Sequence, residues 1–340
     1  MSYDSPTSPP APTSHSPTSP PAPTSPPDVS VVIVSWNVCE LLRDCVRSVV
    51  DQTRRSHEVI VVDNASVDGS AEMLAAEFPN VRVIANDDNR GFAAANNQGM
   101  EVATGGRVLL LNPDTLVLDG AIDAMLDWLD EHPDVGCVGC QVLETETDIQ
   151  MTCFSDPGPI NLLLIETGLH RLFPGSRFLG SPHYAGWDRA DERNVDVVSG
   201  MFMLVPRGVV EEVGMMDDAF FIYSEEADWC RRIRNAGHRC VFAPVARILH
   251  RDGGGKSTAQ TRPQMYVQLQ KSKLIYIDKH YGVGGRLFAK TTLLVSMVAR
   301  GVVFGAVSLI ARGSDARPLS RLAWTAARFH VTGREPVRTR

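Results

Sequence analysis

The stretch EVIVVDNASVDGS at residues 58–70 decides how this chain folds. Its opening run EVIVV is mostly apolar and β-branched, which is typical of a strand buried on both faces of a parallel sheet. Asp63 follows the strand at once, and Ser66 or Asp68 can cap the helix that the next residues predict. A carboxylate at the end of a buried strand, beside a helix start, lies where open α/β sheets bind ligands.

Strand-then-helix units of the same kind continue on both sides of this stretch. Short connections between alternating strands and helices predict a mostly parallel, doubly wound sheet over residues 28–145. A poorly patterned stretch follows at 146–193, with an apolar helix near 160–172. The predicted strands are 29–35, 58–62, 81–85, 107–111 and 135–142, and then 195–205, 239–242 and 247–250.

Three more signatures carry polar groups that could do chemistry. NRGF begins at Asn89, and LLLNPD ends a predicted strand with Asn112 and Asp114. YSEEAD contains Glu225, Glu226 and Asp228 and begins a predicted helix that runs to residue 236, where the helix dipole favours carboxylates. His250 comes later and is followed by a glycine-rich run at 253–257, whose backbone N–H groups could approach phosphate.

The charge of the chain is uneven along its length. The 340 residues have a net charge of −7, which argues against nucleic acid as a partner of the whole chain. From Arg286 onward, however, ten Lys or Arg stand against only Asp315 and Glu335. A basic end on an acidic body favours an anionic surface partner, with membrane phospholipid first.

The apolar segment 287–311 leaves three interpretations open. A membrane-spanning helix needs about 20 unbroken apolar residues, but Lys290 and Arg300 interrupt this one. A central arginine costs about 2.5–3.5 kcal/mol on insertion scales. The pattern favours a helix at the membrane interface, followed by an Arg-rich tail, over a spanning helix or an ordinary core or oligomer contact.

The cysteines and the N-terminus point to a cytoplasmic protein. Seven cysteines form no framework spacing, and the lone CxxC at 137–140 lies in an apolar run, so reduced and buried thiols are expected. The N-terminus shows no basic-then-apolar pattern of a secretory signal. Residues 1–27 repeat SPTSPPAPTS and are expected to be disordered or polyproline-like.

Taken together, these motifs resemble family 2 inverting glycosyltransferases with the nucleotide-diphospho-sugar (A-type, GT-A) fold, and among them the bacterial rhamnosyltransferase-like members. The resemblance covers about residues 28–260 and rests on VVIVSWN, VVDNASVDGS, NRGFAAANNQG, LLLNPDT, SGMFMLV and FFIYSEEADWCRRIRNAG. It implies a nucleotide-binding half at 28–145 and an acceptor and catalytic half at 146–260. The helical, basic region 261–340 would then be associated with the membrane.

The resemblance implies a donor site built from five residues. Asp63 would accept the imide N–H of a pyrimidine, although a capping role for this aspartate also fits. Asn89 and Arg90 would line the same edge, with Arg90 meeting either the diphosphate or a surface acid. Asn112 and Asp114 occupy the family's metal motif, usually Asp-x-Asp. Asn112 brings no charge there, so Asp114 is the expected carboxylate ligand, unless the motif is a plain turn.

The resemblance also implies a metal and a general base. Mg²⁺ or Mn²⁺ would be held by Asp114 and His250, although a lone histidine is often structural. Glu226 corresponds to the family's base, usually an aspartate, and would take the proton of the acceptor hydroxyl. Glu225 and Asp228 would assist it or hold the acceptor together with Gly200.

The expected function is transfer of a sugar, with rhamnose as the first candidate, from a dTDP- or UDP-sugar. The acceptor would be a saccharide or a polyprenyl-diphosphate-linked saccharide of cell-surface polysaccharide synthesis. The protein is expected to be peripheral on the inner face of the plasma membrane. The alternative is a non-catalytic scaffold that binds sugar nucleotides or carbohydrate. Nucleotidyl transfer and a Rossmann dehydrogenase are disfavoured, because no Gly-rich basic loop or GxGxxG motif follows the first strand.

Overall fold

The computed structural model describes residues 25–145, 147–173, 175, 176, 178–184, 186–251, 263–311 and 315–336. The glycine-rich run at 253–257 and residues 1–24 of the repeated N-terminal segment lie outside this description. The strands are β1 Val29–Ser35, β2 His57–Asp63, β3 Arg82–Ala85, β4 Arg107–Leu111, β5 Thr115–Val117, β6 Val135–Leu143, β7 Cys153–Phe154, β8 Arg193–Asn194, β9 Val197–Val198, β10 Phe202–Pro206 and β11 Arg239–His250.

The helices alternate with the strands in the first half and dominate the C-terminal region. They are α1 Cys39–Gln52, α2 Ser70–Glu77, α3 Phe92–Val102, α4 Ala121–Asp130, α5 Pro159–Thr167, α6 Leu169–Leu172, α7 Arg207–Val213, α8 Glu225–Asn235, α9 Pro263–Ile310 and α10 Ala316–Thr332. A short 3₁₀ turn covers Ser181–His183.

One large sheet organises the molecule, in the strand order β3-β2-β1-β4-β10-β6-β11-β5, with β8 paired to β11. The strands β3, β2, β1 and β4 are parallel, as the buried β-branched runs predict. Antiparallel β10 then joins β4 to β6. Helices α1 and α4 cover one apolar face, while residues of α3 and α8 pack on the other.

The structure differs from the sequence-based expectation at two strands. Residues 195–205 form two strands, β9 and β10, separated by a turn that contains Ser199 and Gly200, so the segment changes sheet partner. Residues 239–250 form one strand instead of two, because β11 absorbs the irregular residues between Phe242 and Arg247 as a register shift.

The C-terminal region folds into three helical arms. Helix α9 turns back at Gly282, whose φ is 65°. The Tyr266 hydroxyl lies 3.3 Å from Met297 Sδ, whereas an unbroken helix would separate residues 31 apart by about 46 Å. Residues 263–281 and 283–310 therefore lie side by side, and α10 packs along the second arm. The expected Arg-rich tail is thus largely a helix.

Candidate active site at the carboxyl edge of the sheet

The polar residues predicted from the sequence meet where the parallel strands end. Register pairs Ser35 with Asp63 and Ile33 with Leu111, so the ends of β2 and β4 flank the end of β1. Asp63 is buried, and within the described residues its Oδ1 has no hydrogen-bond partner. A buried carboxylate oxygen without a partner is costly. This edge is therefore suited to a ligand with an N–H donor.

The neighbouring Asn64 organises the loop before α3. Its Nδ2 donates to Asn89 Oδ1 at 3.0 Å, and its Oδ1 accepts from the Arg90 backbone N–H at 3.0 Å. Asn89 Oδ1 also accepts from the Gly91 N–H at 3.0 Å. The Asn89 side chain therefore holds the loop, while the Arg90 side chain remains exposed. Sequence reasoning missed Asn64, although its position directly after β2 was a usable signal.

The same loop is fixed to the segment that precedes α8. Gly91 has a φ of 87°, and a Cβ added there would lie 2.3 Å from the Phe221 carbonyl oxygen. The Phe92 N–H donates to that oxygen at 2.6 Å. Only glycine allows this close approach with a left-handed backbone. The loop before α3 and the acidic helix are therefore held together.

Asp68 acts as a cap for two helices at once. Its Oδ2 accepts from the Cys39 N–H at 2.7 Å at the start of α1, and its Oδ1 accepts from the Ser70 N–H at 3.2 Å at the start of α2. Ser66 Oγ accepts from the Asn37 N–H at 2.9 Å. Both predicted capping residues thus shape the loops after β1 and β2.

Asp114 and His250 come together because β5 and β11 run antiparallel, with Thr115 opposite His250. Asp114 Oδ2 lies 3.1 Å from His250 Nε2, and both residues are buried. Asp114 Oδ1 has no hydrogen-bond partner among the described residues. Nearby, the Asn112 carbonyl oxygen accepts from Thr115 Oγ1 at 2.7 Å, and the Asn112 side chain is partly exposed.

The hydrogen-bond partner of His250 Nδ1 determines which ring nitrogen could bind a metal. His250 Nδ1 lies 3.0 Å from Gln150 Oε1, an acceptor, so Nδ1 carries the proton in this arrangement. The Nε2 lone pair of a neutral ring would then face the Asp114 carboxylate. That contact is favourable only with a second proton or a cation between the two groups. Sequence reasoning did not identify Gln150.

The Asp114 and His250 side chains therefore fit two positions of a divalent metal shell, as oxygen and nitrogen ligands. Among the described residues, no group of three His, Cys, Asp or Glu is assembled for a metal. The remaining ligands would have to come from elsewhere, and a diphosphate supplies oxygens of the kind that Mg²⁺ and Mn²⁺ prefer.

Two glutamates begin α8 after a strained turn. Tyr223 and Ser224 adopt left-handed φ values of 72° and 69°, a backbone cost that is found mostly at functional sites. Glu225 is buried, Glu226 is partly exposed, and Oε2 of each has no hydrogen-bond partner within the described residues. Burial raises the pKa of Glu226 to about 7. Burial, followed by the charge of Glu226, raises the pKa of Glu225 well above its usual range.

Asp228 differs from the two glutamates because both of its oxygens have partners. Its side chain is fully buried; Oδ1 lies 2.7 Å from His280 Nε2 and 2.8 Å from Lys279 Nζ. Oδ2 lies 2.9 Å from Arg232 Nε. This carboxylate joins α8 to the first arm of α9.

Gly200 lies in the turn between β9 and β10. A Cβ added there would lie 3.3 Å from the ring of Phe92, the first residue of α3. The turn thus packs against the helix that follows the loop at Asn89 and Arg90. Its position borders the same edge of the sheet as Asn112, whose N–H donates to the Met201 carbonyl oxygen at 3.2 Å.

Comparison with known proteins agrees with this architecture. The family model for glycosyl transferase family 2 matches residues 30–214. An N-acetylglucosaminyl-diphospho-decaprenol L-rhamnosyltransferase of Mycobacterium tuberculosis is 28% identical over 268 residues, covering 74% of this chain and 85% of the relative. The O-antigen biosynthesis protein RfbC of Myxococcus xanthus is 27% identical over 247 residues, 68% of this chain but only 18% of the relative.

A solved structure supports the fold. A mannosyltransferase of Pyrobaculum calidifontis, in complex with GDP-mannose and Mn²⁺, superposes with a TM-score of 0.51 at 18% identity, covering 94% of this chain and 91% of the other. The predicted A-type fold is therefore confirmed. Since the family model spans more than half of the chain, this protein is a glycosyltransferase and belongs to glycosyl transferase family 2.

Proposed function

We propose that this glycosyltransferase moves a deoxyhexose, with rhamnose as the first candidate, from a dTDP- or UDP-sugar to a hydroxyl of a polyprenyl-diphosphate-linked saccharide, with inversion. The observation that carries the proposal is the buried Asp114–His250 pair at the carboxyl edge of the sheet. The choice of sugar and acceptor is supported by the similarity to the mycobacterial N-acetylglucosaminyl-diphospho-decaprenol L-rhamnosyltransferase. Such a reaction belongs to the synthesis of cell-surface polysaccharide.

On this proposal, residues 28–145 bind the donor. The unpartnered Oδ1 of Asp63 accepts the imide N–H of the pyrimidine base. Asn89 keeps the loop before α3 in place through Asn64, and the exposed Arg90 side chain is available to the diphosphate. The amide of Asn112 lies beside Asp114 and can contact the ribose.

Asp114 and His250 would hold the divalent metal, which supplies positive charge to the departing diphosphate. The unpartnered Asp114 Oδ1 and the facing Nε2 of His250 support this assignment. The Mn²⁺ in the mannosyltransferase complex supports it as well, since the two proteins share the fold.

Residues 146–260 would bind the acceptor and supply the base. Glu226 takes the proton of the acceptor hydroxyl as its oxygen attacks the anomeric carbon opposite the diphosphate. A pKa near 7 suits this role, because the carboxylate is then both available and basic at neutral pH. Glu225 and Gly200 would line the acceptor side, and Asp228 would position α8 through its ion pairs.

We propose a cytoplasmic protein, peripheral on the inner face of the plasma membrane, where a polyprenyl-linked acceptor would be found. Within the described residues, one helix, Pro263–Ile310, is long and apolar enough to cross a membrane by length and composition. The basic residues after Arg286 support contact with anionic lipid.

The proposal is tested by measuring donor binding calorimetrically. dTDP-rhamnose and UDP-sugars are titrated into the full chain, with and without Mn²⁺. Metal-dependent binding is expected, and Asp114→Ala should abolish the metal dependence. Asp127→Ala, at an exposed aspartate on α4, is the matched control and should bind as the wild type does. Donor binding without transfer to any acceptor would instead support the scaffold alternative. A folded protein that binds no sugar nucleotide would contradict both.

A further inference from the structure

The C-terminal helices have apolar side chains on their outer surface. On the second arm of α9, Phe288, Val295, Val298, Val302 and Leu309 are all exposed, with Leu309 at 81%. Their spacing of seven, three, four and seven residues places them on one helical face. The opposite face, at residues 289, 293, 297 and 301, is the buried one. An exposed apolar stripe of this length marks an interaction surface.

The interior beneath this surface is unusually polar. Glu166 of α5 is buried and pairs with Lys273 and Arg300 at 3.0 Å each. Gln270 and His330 are also buried. A buried carboxylate with two cationic partners, beneath an apolar outer surface, is a pattern found in helices that face lipid. Arg300, which interrupts the apolar segment in the sequence, is thus paired with the Glu166 carboxylate, while its own side chain is 37% exposed.

Helix α10 adds a basic stripe beside the apolar one. Arg317, Arg321, Trp324, Arg328 and Val331 follow at intervals of four, three, four and three residues, so they share one face. All five are exposed to solvent. Among the described residues, the three arginines form no ion pair, whereas Lys271, Arg286 and Arg300 do. Free arginines around a tryptophan match the chemistry of an anionic lipid headgroup layer.

The packing of α10 decides how this surface can meet a bilayer. A Cβ added at Gly301 would lie 2.7 Å from the Trp324 ring, and Ser320 Oγ donates to the Gly301 carbonyl oxygen at 2.8 Å. Arg321 and Arg328 therefore lie level with the middle of the second arm. If that arm crossed the bilayer, these arginines would enter the hydrocarbon, which is strongly unfavourable. The two helices fit a bilayer only when they lie along its surface.

We propose that the exposed face of residues 288–309 together with the basic stripe of α10, here called the lipid-facing surface, docks on an anionic membrane without crossing it. The apolar stripe enters the boundary of the acyl chains, and the arginines contact the phosphates. This inference rests on the proposed function for the choice of a membrane partner. It does not depend on which sugar is transferred.

Vesicle flotation of the full chain tests the proposal in the absence of donor and acceptor. Vesicles containing phosphatidylglycerol should bind the protein, and pure phosphatidylcholine vesicles should bind it much more weakly. Arg321→Gln with Arg328→Gln should weaken binding roughly ten- to thirtyfold. Val302→Asp with Leu309→Asp should also weaken it. Val50→Asp, at an exposed valine on α1, is the matched control and should not.

Several outcomes would overturn the lipid-facing surface. One is a protein that fails to bind vesicles, and another is vesicle binding that the four substitutions leave unchanged. A third is resistance to alkaline extraction from the vesicles, as a protein with a spanning helix shows. A dimer that forms through this face without lipid would also overturn it. Since no sugar nucleotide is present in the assay, each of these outcomes leaves the transferase assignment standing. Conversely, a loss of donor binding would not change the interpretation of the vesicle experiment.

Discussion

At the scale of single residues, buried carboxylate oxygens without a hydrogen-bond partner mark the candidate site. Within the described residues, Asp63 Oδ1, Asp114 Oδ1, Glu225 Oε2 and Glu226 Oε2 have no hydrogen-bond partner. Each such oxygen costs stability unless a ligand or a proton satisfies it. All four belong to residues that the sequence motifs had already identified. A folded chain keeps such unsatisfied oxygens where ligand binding or catalysis compensates for their cost in stability.

Replacing the proposed base should change both activity and its pH dependence. In the wild type, kcat/KM should rise as pH passes about 7, because Glu226 must lose its proton. Glu226→Gln should lower the rate by about 10² to 10⁴-fold and remove that rise. Donor binding measured by calorimetry should stay within a few fold. Glu211→Gln, on an exposed part of α7, is the control.

The raised pKa of Glu226 also predicts a change in stability with a defined sign. Burial favours the protonated carboxyl, so the stabilisation is present below the unfolded pKa of 4.5 and is lost as pH rises through about 7. The Gln variant has no proton to lose there. The free energy of unfolding of the variant should therefore increase relative to that of the wild type as the pH rises from 5 to 8. An unchanged difference across this range would contradict the assignment.

Gln150 should control metal affinity through His250. Gln150→Leu removes the acceptor that keeps the Nδ1 proton and orients the ring. Loss of such a partner typically costs about 10- to 100-fold in metal affinity. Mn²⁺ titration should show this loss in the variant, and Gln150→Glu, which keeps an acceptor oxygen, should restore affinity. Equal affinities in all three proteins would contradict the role.

At the scale of elements, α8 depends on its contacts with α9. Asp228→Asn would leave Arg232, Lys279 and His280 around an uncharged amide in a buried position. Breaking a buried ion pair of this kind costs about 3–5 kcal/mol. Urea unfolding should show that loss. Asp217→Asn removes another, partly exposed partner of Lys279 and should cost much less.

Sequence patterns predicted the bounds of strands well where burial on both faces alone determines the choice of residues. Buried apolar runs predicted β1 and β4 with correct bounds, because both faces of these strands are covered. The turn at Gly200 was missed because the many apolar residues of Val195–Val205 hide a change of sheet partner. Residues 261–340 were expected to be helical, but α10 was not delimited because its arginines suggested a tail, although Leu322, Ala326 and His330 repeat at helical spacing on its buried face.

At the scale of the whole molecule, the motifs predicted which residues gather at the carboxyl edge of the sheet but not what each of them contacts. Asp114 and His250, which the sequence analysis assigned to one metal, lie 3.1 Å apart. Whether Asp228 faces a ligand or another helix depends on the path of α9, which turns back at a single glycine. Such a long-range choice leaves no local pattern in the sequence. Tertiary packing decided it, and it fastened the first arm of α9 to α8.

This division of α9 predicts that two truncations behave differently. The first arm is fastened to the rest of the fold: Ser272 Oγ donates to the Ile222 carbonyl oxygen at 2.7 Å, and the Tyr276 hydroxyl donates to Asp156 Oδ2 at 2.7 Å. A chain that ends after residue 282 should keep donor binding and transfer to a water-soluble acceptor but should lose vesicle binding. A chain that ends after residue 262 should lose transfer as well.

The shorter chain should also melt about 10 °C or more below the longer one, because the buried charge of Asp228 then lacks two of its partners. Thermal melts and transfer assays on both chains check this directly. If the chain ending after residue 262 transferred sugar at the rate of the longer one, the first arm would be dispensable. The strained turn at Tyr223 and Ser224 would then hold Glu226 in place without support from α9.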